Sequence, residues 1–353
     1  MPFSLGPKAP QKSVSTWLFV LVSMVVVMVV IGGVTRLTES GLSIVEWRPV
    51  TGWLPPLDEA EWLKAFESYK RFPEYQHVNA GMSLADYKSI FWLEYLHRLW
   101  GRLIGLAYVV PLAVFAWRGY IDRSLGLKLG AIFTLGALQG VLGWYMVKSG
   151  LVDQPDVSQY RLVSHLGLAL VIIAALFWLA LDLRRGQRQS VEVSGTISRG
   201  TLALSVLVLL TILSGGFVAG LNAGLVYNTF PLMGETLVPS DYWDPALGWL
   251  NAFENRSAIQ FHHRVLAVIT VLTAVLLWVR WRNPLSRLRA GTALAGTAAL
   301  ACVQAGLGIG TLVLVVPLTL AALHQAVALA LFMASLWLAF ETHRPLARAA
   351  DHG

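Results

Sequence analysis

Eight long apolar segments alternate with polar stretches along the chain. Each segment is about 20 residues long, which is the length that an α-helix needs to cross the hydrocarbon core of a bilayer. The pattern therefore predicts an all-α integral membrane protein with eight transmembrane helices. The predicted spans lie near residues 14–36, 92–117, 127–148, 162–182, 199–221, 260–281, 289–314 and 318–340.

Composition and charge support a membrane protein and exclude several other classes. Hydrophobic residues make up 56% of the chain and charged residues only 13%, whereas a soluble domain is nearer to half apolar and a quarter charged. The net charge is +7, but the charges are too sparse to form a basic face, so we expect the lipid bilayer and no nucleic acid as a partner. Cys302 is the only cysteine, which excludes a disulfide framework and a thiolate metal cluster.

The distribution of Lys and Arg between the connections predicts how the chain is oriented. The short connections after the second, fourth and sixth spans are rich in arginine, whereas the long connection at 223–259 contains only Arg256. The other long connection, at 37–93, contains more acidic than basic residues. Because positively charged connections stay on the cytoplasmic side, both termini are expected in the cytoplasm and both long connections outside.

The first long connection contains two local patterns. Trp62, Phe66 and Tyr69 recur at helical spacing among charged residues, which predicts an amphipathic helix that lies on the membrane surface. Ser83 followed by Asp86 predicts a capping box. The second transmembrane helix is therefore expected to begin well before the bilayer.

The chain divides into two similar halves of four spans each. Residues 183–199, which are rich in Gly, Ser, Gln and charged side chains, are predicted to be a cytoplasmic linker between residues 1–182 and residues 200–353. Because each half has an even number of spans, the halves run in the same direction and predict two pseudo-symmetric, parallel four-helix bundles. Four motifs recur in the same order: Gly32-Gly33 with Gly215-Gly216, His97-Arg98 with His263-Arg264, Gln139–Gly143 with Gln304–Gly308, and Ser164-His165 with Leu323-His324.

Four histidines occupy matched positions at the outer ends of the even-numbered spans: His97, His165, His263 and His324. An ionisable side chain within a span is costly and is by default a functional residue. The alternative for any one of them is a neutral histidine that is hydrogen-bonded between helices. Two facing histidines on separate helices of a bundle are typical axial ligands of a haem iron. Zinc would require a third or fourth ligand, which the matched set does not share, so the pattern favours a haem in each half.

Four arginines at the outer ends of the spans are candidates for binding haem propionates: Arg36, Arg98, Arg102 and Arg264. Cationic side chains near water pair well with carboxylates, and the alternative for each one is ordinary snorkelling at the membrane interface. His262 is a weaker candidate ligand, because Leu96 occupies its matched position in the first half.

Glu94 distinguishes the two halves, because its counterpart in the second half is Gln260. Glutamine has a similar shape but cannot ionise, so only the first half can move a proton or stabilise developing positive charge at this position. The first half is therefore the predicted reaction site, and the second is the predicted site of a fixed cofactor. The alternative for Glu94 is a surface carboxylate at a helix start, favoured by the helix dipole. Glu39, which faces Asn222 in the repeat, is a weaker candidate of the same kind.

These residues resemble those of the haem A synthase family along nearly the whole chain. The chain has no paired cysteines in its outer connections, so it is similar to the branch of the family that alphaproteobacteria and mitochondria share. The motifs that carry the resemblance are Gly32–Leu42 (GGVTRLTESGL), Glu94–Arg98 (EYLHR), Ser164-His165, Gly224–Met233 (GLVYNTFPLM), Gln260–Arg264 (QFHHR) and Leu323–Gln325 (LHQ).

The resemblance implies an eight-helix oxidoreductase that makes haem A for haem-copper terminal oxidases. It would oxidise the C8 methyl of haem O to a formyl group by successive hydroxylation and loss of water. The resemblance implies that His97 and His165 hold the substrate haem O and that His263 and His324 hold a haem b cofactor. It also implies that Glu94 is required for the chemistry.

The resemblance also implies a setting for the reaction. It places the protein in the bacterial inner (plasma) membrane and makes haem O synthase the expected source of the substrate. An oxidation further requires an electron-transfer partner, whose identity the sequence does not specify. The oligomeric state, including a homo-oligomer, stays open.

Two other functions are consistent with the residues alone. One is a dihaem transmembrane cytochrome b that acts only in electron transfer, with both haems fixed. The difference between Glu94 and Gln260 argues against it, because a passive relay needs no such asymmetry. The other is a transporter, which the repeat suggests, but the polar residues gather at the outer side and not in the middle of the membrane.

Overall fold

The structure is a computed structural model that describes residues 9–47, 52–150, 158–185 and 193–343. These ranges are helical and contain no β-strand. Two short 3-10 turns, Ala223–Leu225 and Gly248–Leu250, lie in the second outer connection. The α-helices of the described ranges are α1 (Ala9–Leu37), α2 (Glu59–Tyr69), α3 (Pro73–His77), α4 (Leu84–Trp117), α5 (Arg123–Gly150), α6 (Gln159–Arg185), α7 (Gly195–Gly220), α8 (Asn251–Glu254), α9 (Arg256–Leu285), α10 (Arg289–Val313) and α11 (Leu318–Thr342).

Eight of the described helices are long and apolar enough to cross a membrane: α1, α4, α5, α6, α7, α9, α10 and α11. This confirms the predicted all-α, multi-pass membrane class and the predicted number of spans. The early start of α4 is also confirmed, because Ser83 accepts from the backbone N–H of Asp86 and the Asp86 carboxylate accepts from the backbone N–H of Ser83. The side of the membrane on which each terminus lies stays a prediction.

The predicted linker at 183–199 is helical at both of its described ends. Helix α6 continues to Arg185 and α7 begins at Gly195, with Ser194 as its N-cap. Residues 186–192 of this linker lie outside the described residues. The division into halves at 182 and 200 stays a prediction.

Helix α2 forms where the spacing of its aromatic residues predicts it, but its apolar face is not free to meet lipid. The Asp58 carboxylate caps the helix by accepting from the backbone N–H of Glu61. The Trp62 ring packs on Phe91 of α4 with centroids 4.8 Å apart. The extended start of α4 thus covers this apolar face with protein, and the predicted position of α2 on the membrane stays a prediction.

Helices α1 and α7 occupy comparable positions in the two halves. Helix α1 packs on α4 and α6, and α7 packs on α9 and α11, while the halves meet where α6 contacts α7 and where α11 contacts α1. Hydrogen bonds between the helices stabilise these contacts. Ser15 Oγ of α1 donates to Ala180 O of α6 over 2.8 Å, and Gln325 Nε2 of α11 donates to Val29 O of α1 over 2.8 Å. The description of the halves as two pseudo-symmetric bundles stays a prediction.

The halves differ in how two of their helices approach each other. Helix α9 packs closely on α10, whereas α4 and α5 have few close approaches in the described chain. Tyr108 of α4 bridges that pair, donating from its hydroxyl to Leu129 O over 2.7 Å and packing on Phe133 with ring centroids 5.9 Å apart. Helices α4 and α5 of the first half are therefore packed less closely on each other than α9 and α10 of the second half.

Candidate functional site

The four predicted histidine ligands lie on α4, α6, α9 and α11 and are partly buried. His97 and His165 are close enough to each other to interact electrostatically, and so are His263 and His324. The structure thus brings together one pair within each half. This is the arrangement that two axial ligands on separate helices require.

Each histidine of the second half rests on a glycine of a neighbouring helix. A Cβ atom added to Gly215 of α7 would lie 3.0 Å from Cε1 of His263. A Cβ atom added to Gly308 of α10 would lie 2.9 Å from Cε1 of His324. Real Cβ contacts are essentially never as short as the one at Gly308, and the one at Gly215 is tighter than most, so a larger residue at either position would require the histidine ring to shift.

The first half repeats this packing with slightly more space. A Cβ atom on Gly32 of α1 would lie 3.5 Å from the His97 ring, and one on Gly143 of α5 would lie 3.4 Å from Cε1 of His165. The glycines of the repeated motifs therefore pack against the histidines themselves. Their spacing from the histidines in the sequence is explained by this contact across helices.

A hydrogen bond fixes the orientation of His263. Ser214 Oγ lies 2.8 Å from His263 Nδ1 and donates its own proton to Thr211 O over 2.7 Å. Since a hydroxyl has one proton to donate, Nδ1 must carry the proton in this contact, and the lone pair of Nε2 is left for a metal. The matched position in the first half is Ile31, which cannot make this bond.

The described residues fit a haem better than a metal ion held by protein alone. No group of three or more His, Cys, Asp or Glu that could hold a metal ion occurs among them, whereas a haem iron needs only two axial ligands. Nδ1 of His165 and of His324 is buried without a hydrogen-bond partner in the described chain. The Nε atoms of Arg36 and Arg264 are also buried without a hydrogen-bond partner in the described chain. They could donate hydrogen bonds to an acidic group such as a propionate.

Glu94 is buried, with 2% of its surface exposed, which excludes the alternative of a surface carboxylate. Its Oε2 accepts from Ser43 Oγ over 2.8 Å and from the backbone N–H of Ile44 over 2.7 Å. Its Oε1 accepts from Arg98 Nη2. These hydrogen bonds attach the connection after α1 to α4, and Glu94 lies one helical turn from His97.

Gln260 occupies the equivalent place and is also 2% exposed. Its Nε2 donates to Ala223 O over 2.8 Å and to Tyr227 O over 3.2 Å, and its Oε1 accepts from Arg264 Nη2 over 3.1 Å. The contact with the connection is thus reversed, since the amide donates to carbonyl groups where the carboxylate accepts from N–H and O–H groups. Sequence reasoning missed these loop partners, although the matched Gly41-Leu42 and Gly224-Leu225 point to them.

The predicted propionate ligands make loop contacts of their own. Arg98 donates to Ile44 O over 2.7 Å and to Glu46 O over 2.8 Å. Arg264 donates to the carbonyls of Tyr227 and Thr229, each over 2.9 Å. Both guanidinium groups therefore hold the outer connections in place, and their role towards propionates stays a prediction.

The other two arginines lie near the same two connections. Arg36 donates to Gly220 O and Asn222 Oδ1 of the second half, over 3.4 and 3.3 Å. Arg102 lies over the Trp53 ring, 5.7 Å from its centroid. Their binding to propionates also stays a prediction.

Two of the weaker candidates have structural explanations. Glu39 and Asn222 both have positive φ angles, of 50° and 52°, so their match in the repeat reflects a shared left-handed turn of the backbone. His262 Nε2 lies 3.0 Å from the Tyr242 hydroxyl. That histidine therefore ties the second outer connection to α9.

Comparison with known proteins identifies the family. The model of the COX15-CtaA family, described as cytochrome oxidase assembly protein, matches residues 15–336. The chain belongs to this family. The matched region extends from α1 to α11 and so includes all eight membrane helices and both histidine pairs of this COX15-CtaA member.

Relatives of this COX15-CtaA protein are similar over nearly the full length. Haem A synthase of Nitrosospira multiformis is 51% identical, with 95% of each chain covered. Haem A synthase of Paramagnetospirillum magneticum is 49% identical, with 93% of each chain covered. Haem A synthase COX15 of Bos taurus is 46% identical over 97% of this chain and 84% of the relative.

Proposed function

We propose that this protein is a haem A synthase, an oxidoreductase that converts the C8 methyl of haem O to the formyl group of haem A. The names of its bacterial and bovine relatives support this activity. The observation that carries the proposal is the difference between two otherwise matched sites. Each site has a histidine pair and an arginine that donates to the residue four positions before it, but this residue is a buried carboxylate, Glu94, only in the first site.

In this proposal the first half binds the substrate and the second half binds a resident haem b. His97 and His165 would hold the iron of haem O, and His263 and His324 would hold that of haem b. The close packing of α9 on α10 suits a cofactor that stays bound, and the looser seam between α4 and α5 suits a ligand that must enter and leave. The bound haem supplies the redox chemistry of its iron.

Glu94 would be the residue that handles protons at the substrate. Three donors surround its carboxylate, from Arg98, Ser43 and Ile44, and they hold it in one orientation beside His97. A fixed carboxylate one helical turn from a ligand histidine could accept a proton or stabilise developing positive charge during oxidation of the methyl. Gln260 can do neither by ionisation.

The proposal also covers the setting of the reaction. The predicted orientation puts both outer connections, and with them the site, at the outer face of the bacterial plasma membrane with the termini in the cytoplasm. Haem O synthase is the expected source of haem O. The electrons leave to a partner protein or acceptor.

Extraction of the haems tests the proposal directly. The protein is produced together with a haem O synthase, purified in detergent, and its haems are separated by chromatography and identified by mass. We expect haem b with haem O and haem A. Haem b alone, in cells shown to contain haem O, would contradict the synthase and favour the electron-transferring dihaem cytochrome b, which the two matched histidine pairs also fit.

A further inference from the structure

Helix α3, in the outer connection between α2 and α4, carries a carboxyl group that the proposed reaction does not yet use. Glu74 lies in its first turn and is only 4% exposed. Its Oε2 atom is buried and has no hydrogen-bond partner among the described residues. A buried, unpartnered oxygen of this kind is costly for an ionised carboxylate, so it calls for an explanation.

The groups that face Glu74 come from three elements: Tyr69 from α2, Glu94 from α4 and Glu39 from the turn after α1. Burial, together with the negative charges of Glu94 and Glu39, raises the pKa of the Glu74 carboxyl to about 8, and the hydrogen bond with the Tyr69 hydroxyl acts in the opposite direction. Since the pKa of an acid is raised, Glu74 carries its proton at neutral pH and releases it only as the pH passes about 8.

Hydrogen bonds and one aromatic stack lie between Glu74 and the Glu94 site. Asn79 Nδ2 donates to the Tyr69 hydroxyl over 2.8 Å, and the Tyr69 ring stacks on Tyr87 with centroids 5.2 Å apart. The Tyr87 hydroxyl donates to Ser43 O over 3.2 Å. Ser43 Oγ in turn donates to Glu94, as described above.

The second outer connection lacks this arrangement in its described part. Asp241 of that connection, which contacts the start of α9, accepts from the Tyr227 hydroxyl over 2.6 Å and from Ser257 Oγ over 2.7 Å. The Tyr227 hydroxyl holds the pKa of Asp241 below its usual value, with Ser257 acting in the same direction. Asp241 is thus an ionised, satisfied carboxylate, while Glu74 is a protonated and unsatisfied one.

We propose that Glu74 is the proton-exchange partner of Glu94. After Glu94 has accepted a proton at the substrate, the step is the transfer of that proton from the Glu94 carboxyl to the Glu74 carboxylate, which restores the charge of Glu94; no electron moves and no other bond changes. Glu74 first releases its own proton to water outside the membrane, so that its carboxylate can act as the acceptor. Glu74 acts through Glu94 and does not itself contact the substrate. The role in turnover rests on the proposed haem A synthase function, whereas the coupling of the two carboxyls does not.

Infrared spectroscopy of the purified protein tests the coupling without turnover. We expect an absorption of a protonated carboxyl group that titrates with a midpoint near pH 8, is absent in Glu74→Gln and persists in the control Asp241→Asn. Glu94→Gln removes a neighbouring negative charge and should move the midpoint to lower pH. A band that survives Glu74→Gln, or a midpoint that Glu94→Gln leaves in place, overturns the proposal.

The pH dependence of haem A formation tests the role in turnover. Glu74→Gln should lower the rate by about 10²-fold, at the lower end of what proton-transfer groups contribute, and remove the change of rate near pH 8. Glu74→Asp keeps a carboxyl and should restore part of both. The haem b spectrum confirms that each variant has folded. An unchanged pH profile in a folded Glu74→Gln variant overturns this role.

The two experiments can reject the proposed function and the role of Glu74 independently of each other. If the wild-type protein forms no haem A, the proposed function fails, while the infrared titration still decides whether Glu74 holds a proton that Glu94 controls. If haem A forms normally in Glu74→Gln, the proposed function stands and only the role of Glu74 is lost.

Discussion

Arg98 and Arg264 bind the same backbone position in the two halves, the carbonyl of Ile44 in one and of Tyr227 in the other. Next to these arginines, the Glu94 carboxylate accepts hydrogen bonds from Ser43 and Ile44 in the first connection. The Gln260 amide instead donates hydrogen bonds to the carbonyls of Ala223 and Tyr227 in the second connection. Either side chain can therefore fasten a connection to a helix. Because fastening does not require a charge, the carboxylate in the first half points to chemistry and not only to packing.

The halves also differ in how firmly they hold a ligand. In the second half Ser214 orients His263 and α9 packs closely on α10. In the first half Ile31 replaces that serine, and α4 approaches α5 in few places. A resident cofactor gains from a rigid, preoriented site, whereas a substrate must be released after reaction. These differences support the proposed placement of haem b in the second half and of haem O in the first, and substitutions at several positions test it.

Removal of a histidine has the largest expected effect. His263→Ala and His324→Ala each delete one proposed axial ligand of haem b, so we expect near-complete loss of the haem b absorption of the purified protein. His97→Ala is the matched control in the first half and should retain haem b but lose bound haem O. If His263→Ala spared haem b and removed only haem O, the two halves would have to be exchanged in the assignment.

Removal of the Glu94 charge has the next largest effect. Glu94→Gln copies the side chain of the second half, and we expect haem A formation to fall by about 10²- to 10⁴-fold, the usual contribution of a proton-transferring group. The haem b spectrum should persist, because Glu94 does not lie in that half. The control is Glu67→Gln, an exposed carboxylate of α2 that pairs only with Lys70 among the described residues. Full activity of a folded Glu94→Gln variant would remove Glu94 from the mechanism.

Hydropathy and the internal repeat were sufficient to predict the eight spans, the histidine pairs and the Glu94–Gln260 difference. These features depend on spacing along single helices or on matches between the halves, both of which are visible in one sequence. The partners Ser43 and Ile44 could not be predicted in this way, because they depend on the path of a connection in space. The same holds for Glu74, which no periodic pattern distinguishes from its exposed acidic neighbours.

The aromatic face of α2 shows a related limit. Its spacing predicts the helix, but a periodic apolar face does not reveal whether lipid or protein covers it. Trp62 packs on Phe91 because the capping box at Ser83 extends α4 beyond its apolar segment. The aromatic spacing of α2 and the capping box can both be recognised in the sequence, but the contact between the two helices cannot.

The glycines beneath the histidines test whether the second site is the tighter one. Gly308→Ala would bring a methyl group to 2.9 Å from the His324 ring, so the ring must move, and we expect a shifted and weakened haem b absorption. Gly143→Ala is the matched control, since its methyl group would make an ordinary contact of 3.4 Å with Cε1 of His165. Equal spectral effects of the two variants on haem b would show that the halves do not differ in this respect.

Loss of the Ser214 hydroxyl should have the smallest effect. Ser214→Ala removes the acceptor that orients His263, and groups that orient a metal ligand typically contribute 10- to 100-fold to affinity. We expect the variant to retain haem b about tenfold less tightly, measured as transfer of haem b to an excess of a haem-binding acceptor protein. The matched variant Ile31→Ser alters the first half and should leave this transfer unchanged. If Ser214→Ala also left it unchanged, Gly215, the backbone of Thr211 and helix packing would be sufficient to orient His263, and the hydrogen bond with Ser214 would not be what makes the second site the firmer one.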